Sequence, residues 1–307
     1  MYEPRTYRDL FKGSNLVFFN CSVRETDLQI GVHAPSEVPA GHPAPDGHPA
    51  PVGHPASLRH PASAEHPASP EHPASPEHPA SAGHSPSPGH PASAEHRASA
   101  GALQTEAFMS VIRHRAAIED YAAQHPEFLT SFVPLKPAVD APPIVKRMCS
   151  AGELAGVGPM AAVAGAISEF VGMDLLRFTP EVIVENGGDI FLKTLSIRRV
   201  GIYAGSSPLS EKIALEIPPA STPLGICTSS GTVGHSVSFG RADAAVILAR
   251  DTAMADAAAT AVGNMVQSDA DLRKAVRFAS KIPSVSGAVV ILGDKMAVWG
   301  DVKLVGL

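Results

Sequence analysis

The chain has 307 residues, with 24 basic and 30 acidic side chains and a net charge of −6. Because Lys and Arg are not in excess, no basic surface is available to neutralise phosphates, which argues against nucleic acid as the main partner. The three cysteines are odd in number and form no CxxC pair, which argues against a disulfide framework and a cysteine zinc site. The N-terminus does not resemble a signal peptide, and no apolar run approaches the roughly 18–20 residues of a membrane span. We therefore expect a soluble, cytoplasmic protein.

The chain opens with short β-forming runs, which are Leu16–Phe19, Cys21–Val23 and Asp27–Val32. They predict a hairpin. A repeat follows in which a histidine recurs every six residues from His42 to His96, with a proline in almost every unit. Since its apolar side chains are mainly Ala, this tract, residues 41–100, cannot offset its ordering entropy, and we expect a disordered insertion. Its ten imidazoles could bind Zn, Ni or Cu weakly, but an inert repeat expansion is the favoured interpretation.

Helical periodicity resumes after the tract. Apolar side chains near a 3.6-residue spacing predict a helix over Ala107–Ala123, with Phe108 and Ile112 on the apolar face. A Pro-rich connection then extends to Pro143. The small residues of Gly158–Val171 predict a second helix that is suited to close packing.

The remaining sequence is rich in Ile, Val and Leu. The predicted strands are Glu181–Val184, Asp189–Thr194, Arg198–Tyr203, Ile213–Ile217, Leu224–Cys227, Ala244–Leu248, Gly287–Leu292 and Lys295–Trp299. The predicted helices are Asp251–Val266 and Asp269–Ala279. Strands joined by hairpins and separated by a few helices predict an α+β fold, with helices packed on a largely antiparallel sheet. Since short-stranded sheets often pair their edges, we also expect a homo-oligomer.

Polar residues concentrate around a pair of glycines between two predicted strands. Gly187 and Gly188 are flanked by Glu185, Asn186 and Asp189. Missing Cβ atoms let a backbone approach a ligand closely, which favours a binding site. A type I′ turn with polar flanks explains the same residues.

A second polar segment follows the predicted strand that ends at Cys227. Its first residues are Thr228, Ser229, Ser230 and Gly231. Successive backbone N–H groups could form an anion-binding nest, and the hydroxyls could donate to phosphate. The alternative is a flexible polar loop. Cys227 and His235 are the candidate catalytic side chains, although each is more often structural.

A third segment places Asp256 and Thr260 four residues apart on an Ala-rich helix. Both oxygens then project from one face, as ligands of Mg²⁺ would, with phosphate and water completing the octahedron. The alternative is an Asp favoured by the helix dipole and a Thr bonded back to its own helix.

Together these segments resemble, in order, the core of the ApbE-type FAD:protein FMN transferases, and resemble more closely a less characterised ApbE-like family of bacteria and archaea. The motifs are ETDL (Glu25–Leu28), AGVGPMAAVAGAI (Ala155–Ile167), VENGGDI (Val184–Ile190), TSSGTVGHSVSFGRAD (Thr228–Asp243) and ADAAAT (Ala255–Thr260). The resemblance implies a T-fold-like α+β domain built from residues 1–40 and 101–307. It also implies FAD or FMN bound beside Gly187, Gly188 and the Thr228–Gly231 loop, with Mg²⁺ held by Asp256 and Thr260.

In those transferases Mg²⁺ assists cleavage of FAD and attachment of FMN to an acceptor protein. Two departures from their pattern imply that catalysis is altered or lost while ligand binding persists. Gly158–Gly165 lacks the Lys and Asp of the K-G-x-A-x-D stretch, and no Asp-Pro follows His235. The alternative function is an accessory factor in sulfur assimilation, in sulfide incorporation and homocysteine biosynthesis, with Cys227 as a sulfur carrier. A third alternative is a structural protein whose His-Pro tract binds metals or partners.

Overall fold

The computed structural model describes residues 15–33, 99–232 and 238–307. The predicted disordered insertion lies outside the described residues, except for Ser99 and Ala100, and His235 also lies outside them. The α-helices are α1 (Ala100–Gln124), α2 (Glu127–Thr130), α3 (Pro143–Ala155), α4 (Val163–Leu175), α5 (Thr252–Asn264) and α6 (Leu272–Ala279). The strands are β1 (Leu16–Val23), β2 (Thr26–His33), β3 (Val182–Asn186), β4 (Asp189–Lys193), β5 (Arg198–Gly201), β6 (Ile213–Ile217), β7 (Leu224–Ser229), β8 (Ala244–Ala249), β9 (Val285–Leu292), β10 (Lys295–Gly300) and β11 (Leu304–Gly306).

Eight strands form one antiparallel sheet in the order β1-β2-β3-β4-β7-β8-β9-β10, and a second sheet has the order β11-β6-β5. Successive side chains of β4 pack into two different hydrophobic cores, one on each face of the large sheet. Phe191 packs toward the helices, whereas Ile190 and Leu192 pack toward the small sheet. This arrangement follows from the period of two in a strand, because both faces of the large sheet are covered. The predicted α+β fold with helices on a largely antiparallel sheet is confirmed.

The predicted opening hairpin is present. β1 is continuous through Asn20, where the sequence indicated two separate runs, and it pairs with β2 from Leu16 opposite His33 to Val23 opposite Thr26. The polar Asn20 does not interrupt the strand because its side chain is exposed.

Helix α1 is longer than predicted, and its predicted apolar face is buried only in part, with Val111 and Ile118 in the core. Ser99 caps its N-terminus by accepting a hydrogen bond from the Ala102 amide. Phe108 and Ile112 are 45% and 38% exposed, so their predicted burial was wrong. Ser110 is instead fully buried, because its hydroxyl donates to Asp174 of α4 at 2.6 Å. Apolar spacing gives no sign of that polar contact.

The Pro-rich connection leads into a helix that the sequence analysis missed. α3 begins at Pro143, where the absent N–H costs nothing because the first helical amides have no partner within the helix. It ends at Gly156, whose φ of 76° suits glycine. The next predicted helix is divided into a 3₁₀ turn over Pro159–Ala162 followed by α4. β11 was also not predicted.

Within the described residues, no single helix is long and apolar enough to cross a membrane. The segments Pro143–Ala155 and Pro159–Leu175 reach that length and hydropathy only as a pair bent by 105°.

Candidate functional site

The three polar segments meet at one end of the large sheet, on its helix-covered side. In the β ladder Asn186 is opposite Asp189, and Asp189 is opposite Cys227. Asp189 and Cys227 therefore lie side by side on adjacent strands, and α5 packs against them. Asp256 of α5 is close enough to raise the pKa of both side chains. The fold thus brings together residues that are far apart in the sequence.

The glycine pair forms the tight turn between β3 and β4. Gly187 and Gly188 have φ values of 67° and 102°, which are those of a type I′ turn. The Gly188 amide donates to Oε1 of Glu185 at 2.8 Å. A Cβ on Gly188 would lie 3.8 Å from the carbonyl oxygen of Thr228, an ordinary contact, so the constraint there is the positive φ. The turn interpretation is confirmed, and a ligand-binding role for this turn stays a proposal.

Asp189 is a buried acid, only 8% exposed. Burial raises its pKa well above the usual range, and the nearby carboxylates of Asp256 and Glu185 raise it further. Hydrogen bonds from the Cys227 thiol and the Thr228 amide oppose this rise. Burial also raises the pKa of Asp256. Two neighbouring acids with raised pKa values favour either a shared proton or a bound cation.

Asp256 has a structural task in the fold. Its Oδ2 accepts a hydrogen bond from the Gly165 amide at 2.8 Å, and its carboxylate also interacts with the Ala164 amide. Both amides belong to the first turn of α4, where Ala162 at the cap position offers no side-chain acceptor. Asp256 therefore caps α4 from a neighbouring helix, and its charge suits the positive end of the helix dipole.

Close contact between α4 and α5 makes this cap possible. A Cβ on Gly165 would come within 2.4 Å of the Thr252 carbonyl oxygen and 2.7 Å of the Asp256 Cβ. Since the nearer of these atoms is backbone, no side-chain movement would relieve the overlap. Glycine is therefore required at this position.

A second cap joins the same two helices, but here α4 supplies the acid and α5 supplies the amides. Oε2 of Glu169 on α4 accepts hydrogen bonds from the Thr252 and Ala253 amides at 2.8 and 3.2 Å, at the start of α5. Burial raises the pKa of Glu169, and Arg147, whose guanidinium lies 3.5 Å from it, opposes that shift. Each helix thus supplies the acid that caps the other. The sequence analysis missed Glu169, although a lone acid among small residues of a buried helix was a usable signal.

Helix α5 is buried except for one polar stripe. Asp256, Thr260 and Asn264 keep partial exposure at spacings of four residues, and the other residues of the helix are buried. The stripe was predicted for Asp256 and Thr260 and was missed for Asn264, whose Oδ1 accepts from the Phe239 amide at 2.8 Å. The open side of α5 therefore presents a carboxylate, a hydroxyl and a side-chain amide.

The loop after β7 is held by its own hydrogen bonds. The Gly231 amide donates to the Ala242 carbonyl at 2.8 Å, and the Thr232 amide donates to Oγ of Ser230 at 3.1 Å. The Thr232 hydroxyl donates to buried Asp243 at 3.1 Å. Because these two amides already have partners, they cannot serve the predicted anion nest without rearrangement.

Cys227 is fully buried. Burial raises the pKa of its thiol well above the usual range, and the neighbouring Asp189 raises it further. Its Sγ also lies 3.4 Å from the Thr252 carbonyl oxygen, in donor geometry. Nucleophilic or sulfur-carrier chemistry needs an accessible thiolate, and this environment disfavours one.

The donor set near Asp256 fits a hard cation. Within the described ranges, no group of three or more His, Cys, Asp or Glu side chains is arranged to hold a metal. Mg²⁺ in proteins is commonly bound by only one or two carboxylates together with a hydroxyl, water and substrate phosphates. Asp189, Asp256 and Thr260 offer that kind of set, and a cation would offset the negative charge of the two carboxylates, whose pKa values burial raises.

Comparisons with known proteins identify relatives of this chain. A family model described as AbpE bacteria matches residues 93–295. A UPF0280 protein of Methanococcus aeolicus is 48% identical over 198 residues, which are 63% of this chain and 80% of the relative. A UPF0280 protein of Methanothrix thermoacetophila is 49% identical over 195 residues, which are 63% of this chain and 81% of the relative.

Among solved structures, the fold is similar to that of the flavin transferase ApbE from Vibrio cholerae. The TM-score is 0.51 at 12% identity, and the match covers 93% of this chain and 97% of that one. At this identity the likeness concerns the fold. The resemblance predicted from the motifs is therefore confirmed for both the family and the fold.

Proposed function

Because this chain belongs to the family described as AbpE bacteria, and its fold is that of an ApbE flavin transferase, we propose that it binds FAD or FMN together with Mg²⁺ at the Asp189–Asp256 end of the large sheet. We further propose that it transfers FMN from FAD to a hydroxyl of an acceptor protein: the hydroxyl oxygen, losing its proton, forms a bond to the FMN phosphorus as the pyrophosphate bond breaks and AMP leaves. The observation that carries the proposal is the convergence of the β3–β4 turn, the end of β7 and the polar stripe of α5 around the buried Asp189 and the partly buried Asp256.

Different residues of this site would bind the metal and the nucleotide. Asp256 and Thr260, with Asp189 beneath them, would hold Mg²⁺, which when bound offsets the charge that develops on the leaving phosphate. The hydroxyls of Thr228 and Ser229, which are half-buried at the end of β7, would donate to the nucleotide.

Two features of the segment around the start of α4 bear on whether this chain can carry out the transfer step. The sequence lacks the Lys and Asp of the K-G-x-A-x-D stretch in the segment that precedes and begins α4. In this chain Asp256 already caps α4 from outside the segment. Binding and transfer must therefore be measured separately.

The experiment is a titration of FAD with the purified full chain, with and without Mg²⁺, in which fluorescence polarisation and intensity are recorded together. Binding raises polarisation, and cleavage raises intensity because FMN is released from quenching by adenine. We expect both signals to rise, and the intensity only with Mg²⁺. If polarisation alone rises, the chain is a binding protein and the transfer step is wrong. If neither signal moves, the flavin proposal fails.

The sulfur-assimilation alternative gains no support from the site, because its proposed carrier thiol at Cys227 is fully buried. A persulfide at Cys227 after treatment of the native protein with a polysulfide, whose sulfane sulfur the thiolate would take up as a shorter polysulfide leaves, would reverse that judgement.

A further inference from the structure

Ala164, in the first turn of α4, is held through both its amide and its carbonyl group. Its amide interacts with the carboxylate of Asp256, which also accepts from the neighbouring Gly165 amide. Its carbonyl oxygen accepts a hydrogen bond from Nδ2 of Asn186 at 3.2 Å. Asn186 is the last residue of β3, whereas Asp256 belongs to α5. Ala164 therefore connects the end of the large sheet to α5.

Ser168, one turn further along α4, makes a second link to the sheet. Its Oγ lies 3.0 Å from the carbonyl oxygen of Ala164 and 2.9 Å from the carbonyl oxygen of Asp189. A hydroxyl has a single proton, so these two carbonyl groups share it. Because Ser168 is fully buried, water does not compete for either contact.

These contacts form a continuous path between the two acids of the site. The path runs from Asp189 through Ser168 to Ala164, and from there to Asp256. A second branch reaches Ala164 from Asn186, which is opposite Asp189 in the β3–β4 ladder. The placement of one carboxylate relative to the other is therefore tied to two polar side chains that belong to neither acid.

The sequence analysis assigned Asn186 to nucleotide binding. In the structure Asn186 is only 9% exposed, and its side-chain amide donates to α4. The sequence analysis gave no role to Ser168. Both side chains now have a contact that bears on the geometry of the acids.

We propose that Asn186 and Ser168 are positioning residues for the cation, because they fix the first turn of α4 to the end of the sheet and thereby hold the Asp256 carboxylate beside Asp189. This inference rests on the proposed function, since it concerns the Mg²⁺ of that site. A cation binds more tightly to carboxylates that are already in place, because binding then has less to order. Partners that orient metal-binding side chains typically contribute about 10–100-fold in metal affinity.

The test compares two matched pairs of variants of the full chain. In each pair one variant interrupts the path and the other removes the same kind of group elsewhere in the fold. The first pair is Asn186→Ala and Asn15→Ala, which each remove a donating side-chain amide. The second pair is Ser168→Ala and Ser110→Ala, which each remove a fully buried helix hydroxyl. The partners of the two controls are Glu181 and Asp174, which are not part of the path.

Thermal unfolding of each variant is followed by circular dichroism over a series of MgCl₂ concentrations, with NaCl at equal ionic strength as the blank. A cation that binds only the native state raises Tm once its concentration exceeds its Kd. Without Mg²⁺ we expect all four variants to unfold at a lower Tm than the wild type, because each loses a hydrogen bond. For the same Mg²⁺-dependent rise in Tm, Asn186→Ala and Ser168→Ala should need at least about tenfold more Mg²⁺. Asn15→Ala and Ser110→Ala should respond to Mg²⁺ as the wild type does.

The outcomes separate this inference from the proposed function. Equal Mg²⁺ responses in the path variants and their controls would show that Asn186 and Ser168 only stabilise the fold, which overturns the inference and leaves the metal site intact. A wild type whose Tm does not respond to Mg²⁺ would overturn the metal assignment, and this inference with it. Should neither alanine variant of the path fold, Asn186→Ser and Ser168→Cys, which keep a shorter or weaker donor, replace them in the same comparison.

Discussion

The cap that Asp256 provides for α4 allows the structural and chemical roles of this residue to be separated. Asp256→Ala removes the acceptor of the Gly165 hydrogen bond at 2.8 Å and of the Ala164 interaction. Loss of a helix N-terminal acceptor costs about 1–2 kcal/mol of folding free energy. Asp256→Asn keeps a carbonyl oxygen at the same position and removes the charge beside Asp189, so we expect the free energy of unfolding to stay within about 0.5 kcal/mol of the wild type.

The two variants should therefore differ in stability and agree in chemistry. Urea denaturation followed by circular dichroism measures the first, and Asp256→Ala alone should lower the free energy of unfolding. In thermal unfolding its Tm should fall by about 2–4 °C for each kcal/mol lost in a domain of this size. The FAD titration measures the second, and any Mg²⁺-dependent rise in fluorescence intensity should be absent from both. If Asp256→Asn is as unstable as Asp256→Ala, the acceptor role is wrong. If Asp256→Asn is stable and keeps a full Mg²⁺ response, the metal assignment is wrong.

Three further predictions concern the surroundings of the site. Gly165→Ala should cost about 1–3 kcal/mol, because its Cβ would lie 2.4 Å from the Thr252 carbonyl oxygen; a Tm equal to that of the wild type would contradict the close contact of α4 and α5. The raised pKa of Glu169 means that the native state holds this proton more tightly than the unfolded state, so its contribution to stability is present below pH 4.5 and declines as pH rises from there through the raised pKa. Glu169→Gln should flatten that decline in pH-dependent urea unfolding, and an unchanged slope would refute it. Cys227, fully buried with a raised thiol pKa, should resist alkylation by iodoacetamide in the native protein, and Cys227→Ala should retain Mg²⁺-dependent FAD cleavage; rapid labelling or lost cleavage would restore Cys227 as a reactive group.

Local chemistry explains which parts of the site were predictable. The Gly187-Gly188 turn has φ values that only glycine adopts readily, so the sequence alone indicates a two-residue hairpin. The four-residue spacing of Asp256 and Thr260 places both on one helix face whatever surrounds the helix. These features depend only on residues that are close together in the sequence. The order of the motifs along the chain was enough to recognise the family.

Other features depend on contacts between distant segments. The pKa values of Asp189 and Asp256 rise because the fold buries the two acids beside each other. The reciprocal caps of Asp256 and Glu169 exist only because Gly165 lets α4 approach α5. No local pattern encodes that approach, since the acid that caps α4 comes from α5, and Glu169 of α4 adds to the local cap that Asp251 gives α5.

By itself, the sequence determined the class of fold, the hairpins, the family motifs and the oxygen-bearing face of α5, because each follows from residue type and short spacing. Only the tertiary structure decided which face of α1 is buried: Ser110 is buried against Asp174 of α4, whereas Phe108 stays 45% exposed. It also decided that Cys227 is enclosed. Those outcomes are set by packing against elements that lie far away along the chain, where pattern and propensity carry no information.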